Sequence, residues 1–135
     1  MDLIEFIQKE GKKIYRKKFS KKYINYKILP IVNYINSSEE KKFLIGGSQG
    51  IGKSSLICLI KRVLETFYNK KVLSLSLDDY YLSKKKRQLL SKNKHKLLAI
   101  RGVPGTHDTN KLIRDINKFS QNKYPIKTPI FDKLT

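Results

Sequence analysis

The chain has 135 residues and a mass of 15.8 kDa, which is enough for one compact domain. Thirty Lys and Arg residues against eleven Asp and Glu give a net charge of +19, and hydrophobic residues make up 39% of the chain, which argues against wholesale disorder. One cysteine excludes a disulfide framework, two histidines provide no zinc-binding pattern, and no apolar run is long enough for a bilayer. We therefore expect a cytoplasmic protein that is not attached to a membrane.

The first 40 residues predict helices. The apolar residues between Leu3 and Tyr15 have the spacing of an amphipathic helix. A second apolar stretch from Tyr23 to Ile35 contains Pro30, so we expect a kinked helix or two short ones. Residues 37–40 form a polar connector, and we assign residues 1–40 to an N-terminal helical segment.

The hydrophobic pattern changes after this segment. Phe43–Ile45 is a short apolar run before two glycines, which predicts a buried strand that enters a turn. Apolar residues then recur every three or four positions from Lys53 to Tyr68, which predicts a helix, and Val72–Leu77 predicts a second strand. Strand, glycine loop, helix and strand in this order are typical of a parallel α/β sheet.

The pattern in the last third of the chain is weaker. Residues 84–98 are rich in lysine and predict a helical stretch, and a glycine- and proline-containing loop follows at residues 102–105. Leu112–Phe119 has helical spacing, with Asp108 or Thr109 as a candidate N-cap. The final residues, flanked by prolines, predict an extended segment.

The strongest motif lies between the first predicted strand and its helix, where the chain matches the pattern G-x-x-x-x-G-K-[ST]. Such a loop holds phosphate oxygens with backbone N–H groups, its lysine reaches the β- and γ-phosphates, and its hydroxyl is a ligand for Mg²⁺. The motif therefore predicts binding of ATP with Mg²⁺, rather than an ordinary glycine turn with an exposed lysine. The predicted nucleotide-binding residues are Gly47, Ser48, Gln49, Gly50, Ile51, Gly52, Lys53, Ser54 and Ser55, with Ser54 as the metal ligand.

Among the classes of protein that use this loop, a small-molecule kinase fits the remaining sequence best. Residues 117–120 carry Ser where the guanine-reading GTPase motif N-K-x-D needs Asp. An ATPase needs an apolar strand that ends in an acidic residue, but the candidate Ile130–Asp132 directly follows Pro129. A kinase needs a carboxylate near the acceptor hydroxyl, which Asp78 or Asp79 would supply at the end of the second predicted strand.

Three sequence blocks at matching spacing resemble the plant-type D-glycerate 3-kinases, which belong with uridine kinase, phosphoribulokinase and bacterial pantothenate kinase. The blocks are residues 46–55, residues 75–82 (Leu-Ser-Leu-Asp-Asp-Tyr-Tyr-Leu) and residues 101–108 (Arg-Gly-Val-Pro-Gly-Thr-His-Asp). A further matching segment follows at residues 128–133 (Thr-Pro-Ile-Phe-Asp-Lys). This resemblance implies a parallel P-loop NTPase sheet flanked by helices, with ATP as donor. It also implies a small hydroxylated metabolite, such as D-glycerate, as acceptor.

The resemblance also suggests roles for individual residues. It makes Asp78 the expected catalytic base and leaves Asp79 as the alternative base or a substrate contact. Lys53, which reaches the phosphates, is the second expected catalytic residue. Further acceptor contacts are expected from Tyr81, Arg101, His107 and Lys133. The structural alternatives stay open, since Tyr81 could pack under a loop, His107 could be satisfied within its own loop, and Asp108 could cap a helix.

The resemblance covers most of residues 43–133, and we assign residues 41–135 to the N-terminal part of a P-loop kinase domain. The family continues beyond the F-D-K segment with a G-D-R region and further strands, so we expect a fragment of a kinase. It would be a truncated gene product, the product of a decayed gene, or one piece of a split protein with a separate C-terminal half. Two alternatives remain, namely an inactive truncated P-loop protein and a basic nucleic-acid-binding module. Nucleic acid is the weaker partner, because no aromatic residues are interleaved with the lysines of residues 84–96.

Overall fold

A computed structural model describes residues 1–132, and these form two compact units. The first unit is Met1–Ser74, and the second begins at Leu75. Within the described part of the chain, no helix is both long and apolar enough to cross a membrane.

Helices build the first unit. Helix α1 spans Leu3–Tyr15, and its first turn is closed by the Asp2 side chain, which accepts a 2.7 Å hydrogen bond from the Glu5 N–H. Helix α2 (Lys21–Tyr23) continues through a π-helical turn, Ile24–Ile28, into α3 (Leu29–Ser37). Pro30 lies in the first turn of α3, where a missing backbone N–H costs little, and the predicted kink is therefore a change of helix type just before it.

Helix α4, Lys53–Phe67, completes the first unit and packs against α1 and α3. The core between these helices is formed by one cluster of buried aliphatic side chains. Its members are Ile7, Ile24, Ile28, Val32, Leu59, Ile60, Val63 and Leu64. Within α4 these side chains recur at the helical spacing from which that helix was predicted, while α1 contributes Ile7 to the cluster. Both predicted helices, α1 and α4, are confirmed.

A buried carboxylate links α1 to α4. Glu10 is only 4% exposed, and its two oxygens accept 2.7 Å hydrogen bonds from the Lys13 ammonium and the Arg62 guanidinium. The hydrogen bond from Lys13 and the charges of Lys13 and Arg62 outweigh the opposing effect of burial, and they lower the pKa of Glu10 below its usual value. The ion pair between Glu10 and Arg62 therefore joins α1 to the second half of α4.

The predicted parallel α/β sheet is wrong for the described residues. No strand is present among residues 1–132, and the only β-type pairing there is an isolated antiparallel bridge between Tyr81 and His107. Residues 43–45 and 72–75 adopt no regular secondary structure and form no backbone hydrogen bonds with another described segment. A strand exists only through pairing with a neighbour, and the side chain of Leu44, predicted to be buried, is 98% exposed.

The second unit contains short helices and long connections. A 3₁₀ turn at Leu77–Tyr80 is followed by α5 (Lys84–Asn93), a second 3₁₀ turn at Lys96–Ala99, and α6 (Thr109–Ser120). The helical stretch predicted over residues 84–98 is confirmed, but it forms two pieces because the backbone of His95 is extended (φ −155°, ψ 135°) and separates them.

Buried polar groups hold the second unit together. The Arg87 side chain donates to the carbonyls of Leu82 and Ala99, and it is 4% exposed. The hydroxyl of Tyr80 donates a 2.9 Å hydrogen bond to Asp115, which also pairs with Lys111 at 3.1 Å. Burial, followed by the interactions with Asp115, raises the pKa of Tyr80.

Candidate functional site

The candidate phosphate-binding loop, residues 47–54, lies in the first unit and leads directly into α4. Gly50 (φ 79°) and Gly52 (φ 92°) both adopt the left-handed conformation, which glycine reaches at little cost. Gly52 is the residue before the first turn of α4, and its carbonyl accepts a hydrogen bond from Leu56 N–H. The motif glycines thus form the sharp turn that begins a 15-residue helix, as the sequence predicted.

The loop exposes its backbone donors. Residues 46–51 are exposed, and within the described chain none of the N–H groups of residues 47–52 donates to a backbone carbonyl. These donors lie beside the start of a long helix, where unpaired N–H groups and the helix dipole favour an anion.

Lys53 bends back over this loop. Its ammonium group donates two 2.7 Å hydrogen bonds, to the carbonyl oxygens of Gly47 and Ser48. A Cβ added at Gly47 would lie 3.3 Å from Ile51 Cγ2 and 3.5 Å from Lys53 Cδ, so the glycine gives the lysine side chain room to cross the loop. The ammonium is therefore held at the loop rather than directed into bulk water.

The remaining predicted loop residues differ in their exposure. Ser48, Gln49 and Ile51 are exposed, and the Ile51 side chain retains 67% of its accessible surface. Ser54 is exposed in the first turn of α4, while Ser55 is half-buried. The Ser54 hydroxyl is thus accessible to a ligand, although no group of three or more metal-binding His, Cys, Asp or Glu side chains occurs within residues 1–132.

The two candidate bases, Asp78 and Asp79, lie in the 3₁₀ turn Leu77–Tyr80 of the second unit and not at the end of a strand. Asp78 is exposed and, among the described residues, its carboxylate forms no hydrogen bond or ion pair. Asp79 is half-buried, and its Oδ1 accepts a 3.2 Å hydrogen bond from the backbone N–H of Phe131. The neighbouring carboxylates therefore have different environments.

The second unit brings three of the predicted acceptor contacts together. The rings of Tyr81 and His107 stack with centroids 4.2 Å apart, and these residues also form the isolated bridge. Phe131 packs edge-on against Tyr81 at 5.2 Å, and the Arg101 guanidinium lies 5.3 Å from the centre of the Phe131 ring. We call Tyr81, Arg101, His107 and Phe131 the aromatic cluster.

One nitrogen of the aromatic cluster is buried without a partner. His107 Nε2 is inaccessible to solvent, and no described residue forms a hydrogen bond with it. A buried polar atom of this kind costs stability unless a ligand or water satisfies it. This observation favours the functional interpretation of His107 over the interpretation in which its own loop satisfies it.

Phe131 was missed as a site residue in the sequence. The resemblance includes Phe131 in the segment of residues 128–133 but points to Lys133, two residues further along the chain, as the acceptor contact. Lys133 lies outside the described residues. Asp108, by contrast, has a structural role, since its Oδ1 accepts a 3.0 Å hydrogen bond from the N–H of Lys111 and caps α6.

Comparisons with known proteins identify relatives that are named as kinases. The chain is 35% identical over 112 residues to the uncharacterized kinase mug58 of Schizosaccharomyces pombe, a match that covers 79% of this chain and 40% of that protein. It is 34% identical over 96 residues to the probable ATP-dependent kinase TDA10 of Saccharomyces cerevisiae, covering 64% of this chain and 33% of that protein. No family model and no solved structure matches the chain. The chain is thus similar to one protein named as an uncharacterized kinase and one named as a probable ATP-dependent kinase, and neither name specifies an acceptor. It spans two fifths or less of the length of these relatives.

Proposed function

We propose that this chain supplies the ATP-phosphate site and the acceptor contacts of a small-molecule kinase. The observation that carries the proposal is the position of Lys53, whose ammonium lies on the glycine loop at the start of α4. The name of one relative, the probable ATP-dependent kinase TDA10, supports ATP as the donor. Because the chain spans only 40% and 33% of those relatives, the kinase activity itself is part of the proposal.

On the donor side, Lys53 exchanges its contacts with two carbonyl oxygens for contacts with phosphate oxygens. The free N–H groups of residues 47–52 add further donors to the same anion. Ser54 offers one hydroxyl ligand, which suits Mg²⁺ because this ion binds few protein groups when it accompanies a nucleotide. Bound Mg²⁺ would supply charge neutralisation for the β- and γ-phosphates.

On the acceptor side, we assign the reacting hydroxyl to the carboxylate of Asp78. The hydroxyl oxygen forms a bond to the γ-phosphorus, the bond from that phosphorus to the β–γ bridging oxygen breaks, and ADP leaves. The hydroxyl proton moves to Asp78, which is exposed and holds no other described group.

Calorimetric titration of ATP into the full chain and its Lys53→Ala variant tests this proposal. Each charge-assisted hydrogen bond that Lys53 forms with phosphate is worth roughly 1.5–3 kcal/mol, so the variant is expected to bind at least about tenfold more weakly. Lys61→Ala is the matched control, since it removes one charge from the same helix and disturbs only a 3.8 Å pair with Glu65. Equal affinities for the wild type and Lys53→Ala would contradict the proposal.

Transfer of labelled γ-phosphate to hydroxy acids tests the acceptor. D-glycerate is the first compound to try, alongside its enantiomer and a panel of sugars and nucleosides. A labelled product from any of them supports the kinase, and the identity of that compound names the acceptor class. ATP binding without transfer to any hydroxyl compound would contradict the kinase and leave a nucleotide-binding protein.

A further inference from the structure

Either of the two adjacent carboxylates, Asp78 or Asp79, could accept the proton of the acceptor hydroxyl. The two side chains have different environments in the turn Leu77–Tyr80. Asp78 is exposed and its carboxylate forms no hydrogen bond or ion pair with a described residue, whereas Asp79 is half-buried and accepts the N–H of Phe131 at 3.2 Å. The hydrogen bond joins residues 52 positions apart in the chain.

The hydrogen bond between Asp79 and Phe131 anchors the chain near its described end to the turn Leu77–Tyr80. Phe131 is half-buried in a segment without regular secondary structure, and its ring contacts Tyr81 and lies near the Arg101 guanidinium. Tyr81 in turn stacks on His107, the residue with the unpartnered Nε2. Without the Asp79 contact, the backbone at residue 131 loses the hydrogen bond that anchors it next to this aromatic cluster.

We propose that Asp79 is a positioning residue, which holds Phe131 in the aromatic cluster, and that Asp78 alone acts as the base. This inference rests on the proposed kinase function. It depends on a chemical difference between the two roles, because accepting a backbone N–H requires only an oxygen, whereas accepting the acceptor's proton requires an ionised carboxylate. An amide can therefore replace the carboxylate at position 79 but not at position 78.

Four variants of the full chain separate these roles in steady-state kinetics. Asp78→Asn is expected to lower kcat by about 10²–10⁴-fold while ATP binding remains. Asp79→Asn keeps an oxygen for the Phe131 N–H, so its loss of kcat is expected to be at least tenfold smaller than that of Asp78→Asn. Asp79→Ala removes that oxygen and is expected to raise the KM for the acceptor about tenfold. Asp79→Glu keeps the charge but displaces the oxygen, so it should resemble Asp79→Ala more closely than Asp79→Asn.

A structural readout tests the positioning role independently of activity. In ¹⁵N-labelled protein, the Phe131 amide should exchange slowly with solvent in the wild type and in Asp79→Asn. Exchange should be at least about tenfold faster in Asp79→Ala, because the amide then lacks its acceptor. Asp78→Ala is the matched control, since it removes the neighbouring carboxylate and should leave the Phe131 amide unchanged.

The two measurements separate failure of this inference from failure of the kinase proposal. A protein that transfers phosphate to no hydroxyl compound contradicts the proposed function, and the amide exchange still decides whether Asp79 anchors Phe131. Equal loss of kcat in Asp78→Asn and Asp79→Asn would overturn the inference, because the charge of Asp79 would then take part in the chemistry. Unchanged exchange of the Phe131 amide in Asp79→Ala would overturn it as well.

Discussion

Gly52 provides a direct test of the loop conformation. Its backbone has φ 92° and ψ 22°, in the left-handed region that strains any residue with a Cβ. A Cβ built at Gly52 meets no atom within 4 Å, so the cost of Gly52→Ala comes from the backbone alone. That cost is about 1–2 kcal/mol.

Gly46→Ala is the matched control for this prediction. Gly46 also has open space around a built Cβ, but its φ is not positive. Both substitutions restrict the unfolded chain by the same amount, about 0.4–1 kcal/mol, so this gain cancels when the two variants are compared. The free energy of unfolding of Gly52→Ala should therefore fall about 1–2 kcal/mol below that of Gly46→Ala.

Urea denaturation followed by the helical circular dichroism signal measures this difference. Gly52→Ala should also weaken ATP binding more than Gly46→Ala does, because a change in φ at residue 52 moves the loop relative to the first turn of α4. If the two variants have the same stability, Gly52 does not occupy the left-handed region and the loop geometry described above is incorrect.

Three further predictions concern stability. Asp108→Ala removes the cap of α6 and should lower the free energy of unfolding by about 1 kcal/mol in urea denaturation, while an unchanged midpoint would show that the cap contributes nothing. The pKa of Glu10 is lowered in the folded protein, so Glu10 contributes its full stabilisation above its usual pKa of 4.5. This contribution is lost as the pH falls through the lower pKa of the folded state. The acid unfolding of Glu10→Gln should therefore depend less on pH than that of the wild type. The pKa of Asp115 is also lowered from 3.8, because the hydrogen bonds from Tyr80 and Lys111 outweigh the opposing effect of burial. The free energy of unfolding of Asp115→Asn should therefore also depend less on pH under acidic conditions than that of the wild type.

The helices could be predicted from the sequence because their stability depends on nearby residues. Leu59, Ile60, Val63 and Leu64 repeat at the period of a helix, and the caps at Asp2 and Asp108 are contained in a few consecutive residues. The same locality made the glycine loop predictable, since its turn and the start of α4 follow from the adjacent glycines and lysine.

The sequence wrongly predicted strands at residues 43–45 and 72–77, because a strand depends on a pairing partner that a short apolar run does not specify. Leu44 is apolar in a pattern typical of a buried strand, yet nothing in the described chain covers it or pairs with its backbone. Likewise, the contact between Asp79 and Phe131 joins distant residues through a backbone N–H, which is the same group in every non-proline residue and leaves no mark in the sequence.

The most direct test of the central claim compares the affinity of the full chain for ATP, ADP, AMP and adenosine under the same ionic conditions. If the loop N–H groups and Lys53 bind the ligand, they recognise its phosphate oxygens. Affinity should therefore rise with the number of phosphates, and adenosine should bind weakest. Equal affinity for adenosine and ATP would contradict the claim, because recognition would then lie in the nucleoside and not at residues 47–54.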